Sequence, residues 1–204
     1  NLFCYTHCCH LKNQFFLFKF VRRLLNKMIQ QATLANGCFW CTETIYSRLH
    51  GVISTKPGYS GGAIKNPSYR EVCQGTTGHA ECIQIEFDDT LIDYATLLEV
   101  FFDTHDPTTL NKQGADVGTQ YRSAIFYHDD QQLQIAKDIK NASADKFDNP
   151  IVTELTPFTV FYEAESEHQD YYNLNPSQPY CSAVISPKVK KLLTSHSKLL
   201  KEKL

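Results

Sequence analysis

The chain has 204 residues, 42% of them hydrophobic, enough to bury the core of one ordinary domain with residues left at the ends. Its net charge of -2 is uneven: residues 1–27 carry five basic side chains and no acid, and from Lys188 onward six lysines face Glu202 alone, which leaves nine basic against 21 acidic side chains in the 160 residues between. That acidic middle excludes a nucleic-acid surface, and Lys19 interrupts the apolar run at 15–21 far short of the roughly 20 residues of a spanning helix.

The leader at 1–27 lacks the order of a secretory signal, so the cytoplasm is the expected location and no membrane partner is expected. Met28, the only Met, stands just before a strand-like segment and is read as a natural start, with a catalytic domain over 28–187 and a Lys-rich tail over 188–204. The stretch "CYTHCCH" at 4–10 offers metal-ligand side chains, but no second pair follows at zinc-site spacing. Of the eight Cys, three lie in the leader, and a domain this large needs no covalent staples, so reduced thiols are expected.

Further along, 31–35 reads as a strand ending at Asn36-Gly37, and 41–49 as a helix, which puts Cys38 at a strand-to-helix turn. A strand at 51–56 leads into a Gly- and Pro-rich loop at 57–69. The alternation at 80–87 marks another strand, and Leu97, Leu98, Phe101 and Phe102 recur at helical spacing. Strands are expected at 123–127, 151–155 and 158–162, and a surface helix at 131–140 with Leu133, Ala136 and Ile139 or Lys140 inward. The mixture implies an α+β fold: a two-layer α/β sandwich with a mixed sheet, of the ferredoxin-like α-β plait type. The tail past Pro187 has an amphipathic pattern, although a solvated end is the preferred reading.

Chemistry concentrates at Gly37-Cys38-Phe39-Trp40-Cys41. A Cys at the first turn of a helix has backbone N–H groups and the positive dipole end beside its sulfur, which lowers a thiol pKa from about 8.5 toward neutrality. Gly37 permits close approach of another molecule, and Phe39 and Trp40 offer apolar surface to a methyl or thioether. Cys41 follows Cys38 at the spacing of a Cys-x-x-Cys redox pair. Glu81 shares a strand face with Ile83, Ile85 and Phe87, so its carboxyl points inward, where burial lets it keep a proton near neutral pH and donate it.

These five residues, with "GYSGG" at 58–62, "NPSYREVC" at 66–73, "TGHAE" at 77–81, "HDPT" at 105–108, "QGADVGTQYRSAI" at 113–125 and "HQDYY" at 168–172, resemble the peptide methionine sulfoxide reductases of the A type from about Thr33 to Lys188. The resemblance implies that Cys38 attacks the sulfoxide sulfur while Glu81, Tyr69 and Tyr121 surround the oxygen. Phe39 and Trp40 would receive the methyl group, and Asp116 would orient the site. It further implies the S epimer as substrate, in proteins or as the free amino acid. Cys38 would end as a sulfenic acid, resolved to a disulfide that thioredoxin reduces, with no bound cofactor or metal.

Two thiols compete as the resolving Cys: Cys181 in "QPYCSAVISPK", where many members carry it, and Cys41, where many have Gly. Cys181 is preferred because a thiol on a flexible segment closes a disulfide without distorting a helix. Cys73 and Cys82 read as structural, and the chain is expected to act as a monomer. Three rivals stand: a thiol-disulfide oxidoreductase using only Cys38 and Cys41, a metal-binding module, and a phosphate loop at "GYSGG", which lacks the following Lys-Ser or Lys-Thr.

Overall fold

The computed structural model describes residues 29–202, so the leader motif at 4–10, the apolar run at 15–21 and Met28 lie outside the described residues. Strand β1 (Ile29–Asn36) leads into helix α1 (Phe39–Tyr46), then β2 (Val52–Ser60), the short helix α2 (Tyr69–Cys73) and β3 (Ala80–Asp88). Helix α3 (Tyr94–Thr104) precedes a small hairpin of β4 (Lys112–Gln113) and β5 (Asp116–Val117), followed by β6 (Ser123–Tyr127) and helix α4 (Asp130–Ser143). Strands β7 (Glu154–Pro157) and β8 (Phe161–Glu163), the turn α5 (Tyr171–Leu174) and helix α6 (Ser186–Ser195) complete the chain.

The fold is α+β, built on a mixed six-stranded sheet in the order β7-β6-β1-β3-β2-β8, antiparallel except where β6 meets β7. Alternation along β1 and β3 sends Ala32, Leu34, Ile83, Ile85 and Phe87 to the helix-covered face, where they pack with Ile45 and Tyr46 of α1 and Leu97, Leu98, Phe101 and Phe102 of α3. The opposite residues Ala35, Cys82 and Ala124 form a smaller apolar cluster under Phe158 and Phe161.

Several boundaries differ from the sequence expectation. Helix α1 begins two residues early and gives way to turns after Tyr46. Strand β2 runs through Pro57-Gly58 to Ser60, where a loop was expected. Pro57 pairs with Ile83 while its carbonyl accepts the Ala164 amide at 3.0 Å, and a side chain on Gly58 would meet the Phe161 ring at 2.3 Å. The Pro and Gly that signal a turn therefore admit β8 as a close neighbour. Strands β7 and β8 each begin three residues later than expected. In α4, Gln132 is buried more fully than Leu133 because its amide bonds the carbonyl of Gln31 at 2.7 Å and accepts the His128 amide at 3.0 Å.

The tail does not trail in solvent. Leu192 of α6 is fully buried, the Lys201 amide donates to the Arg48 carbonyl at 3.0 Å, and Leu199 accepts the His50 amide at 2.7 Å. The apolar stripe between the lysines docks the helix beside α1, with the charged heads left toward water.

Candidate active site

Cys38 is the residue capping α1, and its carbonyl accepts the amides of Cys41 (3.1 Å) and Thr42 (3.3 Å). The Thr42 hydroxyl also donates to the side chain of Asn36, tying the helix start to the end of β1. Gly37 adopts φ +99°, and a Cβ there would lie 2.6 Å from Gln113, so the close neighbour of this glycine is another part of the chain. Gln113 in turn bonds both the amide and the carbonyl of Asp106, at 3.2 and 3.0 Å.

Glu81 is 1% exposed, and its Oε2 accepts the amide of Phe39 at 3.1 Å. Burial, aided by the negative charges of Asp116 and Cys41, pushes its carboxyl up to about 8 despite that hydrogen bond. Tyr69 and Tyr121 share the neighbourhood: both phenols are raised, first by burial and in part by the charge of Glu81, so both remain proton donors. Tyr69 enters on α2, whose first amide bonds Glu165 at 2.8 Å, and the same carboxylate accepts the Tyr59 hydroxyl at 3.0 Å.

The thiols depart from expectation. Burial pushes the Cys38 thiol up, with further increments from its bond to Cys41 and the charge of Glu81. Cys41 is brought down to about 7, first by the hydrogen bond with Cys38 and then, against burial, by Lys188 and the Tyr180 phenol. Cys38 is only 6% exposed, and desolvation outweighs the dipole of an eight-residue helix. Burial thus holds the Cys38 thiol up while its neighbour one helical turn on is lowered.

Asp116 is joined to this pair by a residue the motifs had not singled out. Tyr180 donates to Asp116 Oδ2 at 2.7 Å and lies 4.0 Å from the Cys41 sulfur. Phe39 is fully buried against Tyr59, Tyr69 and His168, with ring centroids 5.4 to 6.2 Å apart. Half-buried Trp40 stacks on Tyr171 at 3.7 Å and 7°, with Tyr180 edge-on at 5.8 Å. Trp40 Nε1 and His168 Nδ1 are buried here without a hydrogen-bond partner.

Cys181 is fully buried in a π-helical turn (Cys181–Ile185) that runs into α6, rather than exposed on a loop. Its thiol is raised by burial and then by the charge of Cys41. Cys82 is buried on the far face of β3, while Cys73, expected to be structural, is exposed. All five Cys among the described residues are free. Among the described residues, no three His, Cys, Asp or Glu gather as a metal site, and no helix is long and apolar enough to cross a membrane.

Two cysteines one turn apart at a helix start, beside a buried carboxyl raised to about 8, describe a thiol oxidoreductase equipped for acid catalysis. The sequence pattern described as "Peptide methionine sulfoxide reductase" matches residues 30–200. The peptide methionine sulfoxide reductase MsrA of Saccharolobus solfataricus is 56% identical over 165 residues, which cover 81% of this chain and 93% of that protein. Among solved structures, Mxr1 from Saccharomyces cerevisiae in reduced form is similar with a TM-score of 0.71 and 38% identity, over 76% of this chain and 90% of that one. The same yeast protein in complex with Trx2 gives 0.50 and 29%, over 71% and 86%. The chain belongs to the peptide methionine sulfoxide reductase family.

Proposed function

We propose that the protein is a peptide-methionine (S)-S-oxide reductase in which Cys38 is the nucleophile. The observation that carries this reading is the Glu81–Phe39 hydrogen bond, which holds a protonated carboxyl against the helix turn that carries Cys38. A sulfoxide oxygen leaves poorly until it is protonated, and Glu81, flanked by the phenols of Tyr69 and Tyr121, supplies the proton. The Cys38 sulfur attacks the sulfoxide sulfur, the S–O bond breaks, and the oxygen passes with a proton to Cys38 as a sulfenic acid; methionine is released, reduced by two electrons. The proton that Cys38 gives up has an acceptor in Cys41, one helical turn away, whose thiol is lowered to about 7. Phe39 and Trp40 wall the methyl group, and Asp116 acts through Tyr180 to orient the thiols.

A second thiol then displaces hydroxide from the sulfenic acid, which leaves as water and gives a disulfide. Cys41 takes precedence here, since it lies one helical turn from Cys38 with its thiol lowered to about 7, whereas Cys181 is packed in the core. The next disulfide exchange is with thioredoxin, a role supported by the yeast relative's complex with Trx2. We take the substrate to be methionine sulfoxide in proteins or free, and the enzyme to be a cytoplasmic monomer without a bound cofactor. The catalytic unit extends beyond 187 to the docked tail, and its central connectivity, β1-α1-β2-β3-α3-β6 in the spatial order β6-β1-β3-β2, supports a ferredoxin-like plait. A thiol-disulfide oxidoreductase would have no use for the Glu81, Tyr69 and Tyr121 cluster.

The test is reduction of peptides containing S or R methionine sulfoxide with dithiothreitol, comparing wild type with Cys38→Ser. Turnover of the S peptide alone, lost in Cys38→Ser, is expected; equal turnover by the variant would overturn the assignment.

A further inference from the structure

Besides Glu81 on β3, a second acid is buried: Glu43 of α1, 6% exposed, which the reaction described above does not use. Burial pushes it up to about 7, opposed by the backbone amides of Asp170 and Tyr171. The Asp170 amide donates to Glu43 Oε1 at 3.0 Å. Asp170 itself sits at φ +53°, a left-handed conformation that a non-glycine residue adopts at a cost, so something must hold it. The Glu43 carboxylate is one such restraint, and the bond from Asn173 Nδ2 to Asp170 Oδ1 is another.

The residue after this turn is Tyr171, whose ring lies 3.7 Å from Trp40 and within 7° of parallel. Trp40 precedes Glu43 by three positions, so both project from one side of α1. The helix therefore grips the 170–171 turn twice, by a carboxylate on its backbone and by an indole on its aromatic ring. We propose that Glu43 is a positioning residue which, by fixing Asp170 and Tyr171, sets the plane of Trp40 and with it the fit of the methylsulfinyl group. This rests on the reading of Trp40 as the wall of the methyl pocket.

Glu43→Ala and Glu43→Gln in the full chain are compared with wild type in two measurements: steady-state reduction of a methionine-S-sulfoxide peptide by dithiothreitol, and emission of Trp40, the only tryptophan. Glu43→Ala is expected to raise KM roughly tenfold, to leave kcat within about twofold and to shift Trp40 emission. Glu43→Gln retains an oxygen for the Asp170 amide and is expected to stay within about threefold in KM with near-native emission. Tyr171→Leu should reproduce the alanine phenotype, and combining the two should add nothing. Should Glu43→Ala not fold, Glu43→Asp, which withdraws the carboxylate by one methylene, takes its place. Unchanged KM and emission, or a fall in kcat at constant KM, would overturn the proposal. If the wild type does not reduce the sulfoxide, the underlying reading fails, while emission alone still decides whether Glu43 holds the indole.

Discussion

The carboxyl of Glu81 receives the backbone amide of Phe39 at 3.1 Å, so the central strand β3 and the first turn of α1 are joined through the residue beside Cys38. Acid and nucleophile are thereby fixed to one another by the backbone. Glu81→Gln keeps the hydrogen bond and removes the proton, and kcat is expected to fall by about 10²- to 10⁴-fold. Steady-state assays with the sulfoxide peptide check this, and alkylation of Cys38 in the variant confirms that the thiol is intact.

The same groups set a pH window. The thiol pair must lose a proton, near 7 at Cys41, and Glu81 must keep one, which it holds up to about 8. The rate constant kcat/KM should therefore rise as pH passes 7 and decline above 8. The decline should be absent from the residual activity of Glu81→Gln.

Glu81 also ties stability to pH. It ionises near 4.5 in the unfolded chain and near 8 in the folded one, so the folded state holds a proton that the unfolded state releases between those values. Stability contributed at low pH is lost as pH rises from 4.5 through 8, by several kcal/mol at about 1.4 kcal/mol for each tenfold change in proton affinity. Thermal unfolding of Glu81→Gln is expected at a higher temperature than wild type above pH 8, with the gap closing near pH 4.5.

Tyr180→Phe removes the phenol that donates to Asp116 and lies beside Cys41. Since that phenol helps to lower the Cys41 thiol, the pair should ionise at higher pH in the variant. Titration of thiolate absorbance in the ultraviolet, with Cys41→Ser as the control, reads the change directly.

The two candidate resolving thiols separate under thioredoxin. Cys41→Ser is expected to stop after about one turnover, as a sulfenic acid left without its adjacent partner must be. Cys181→Ser is expected to keep multiple turnover. The reverse pattern would restore Cys181 as the resolving Cys.

Gly37→Ala should destabilise the fold by about 1 to 3 kcal/mol, because φ +99° strains any side chain and a Cβ would collide with Gln113. Urea unfolding measures the loss.

Much of the site could be read along short stretches of chain. Period-two alternation in β3 places Glu81 on the buried side with Ile83 and Ile85, and the strand-to-helix turn locates Cys38. Other features depend on contacts that no local pattern encodes. For Cys38, a helix start argues for a low pKa, whereas burial and the charge of Glu81 argue against it, and only the fold decides between them. Tyr171 and Tyr180 sat inside quoted motifs, yet their significance lies in meeting Trp40 and Asp116 from the far end of the chain. Pro57-Gly58 lies in a strand for a related reason: turn-forming residues also serve where two strands come unusually close.

The tail that returns to α1 has a consequence for how the protein comes into being. Glu43 waits for Asp170, 127 positions on, Cys41 for Tyr180 at 139, and Ser47 for Lys201 at 154. Such distant closures come late in folding, after the entropy of long loops has been overcome. A nascent chain therefore exposes its nucleophile before the partners that govern it have been made, since these follow 127 to 154 positions later.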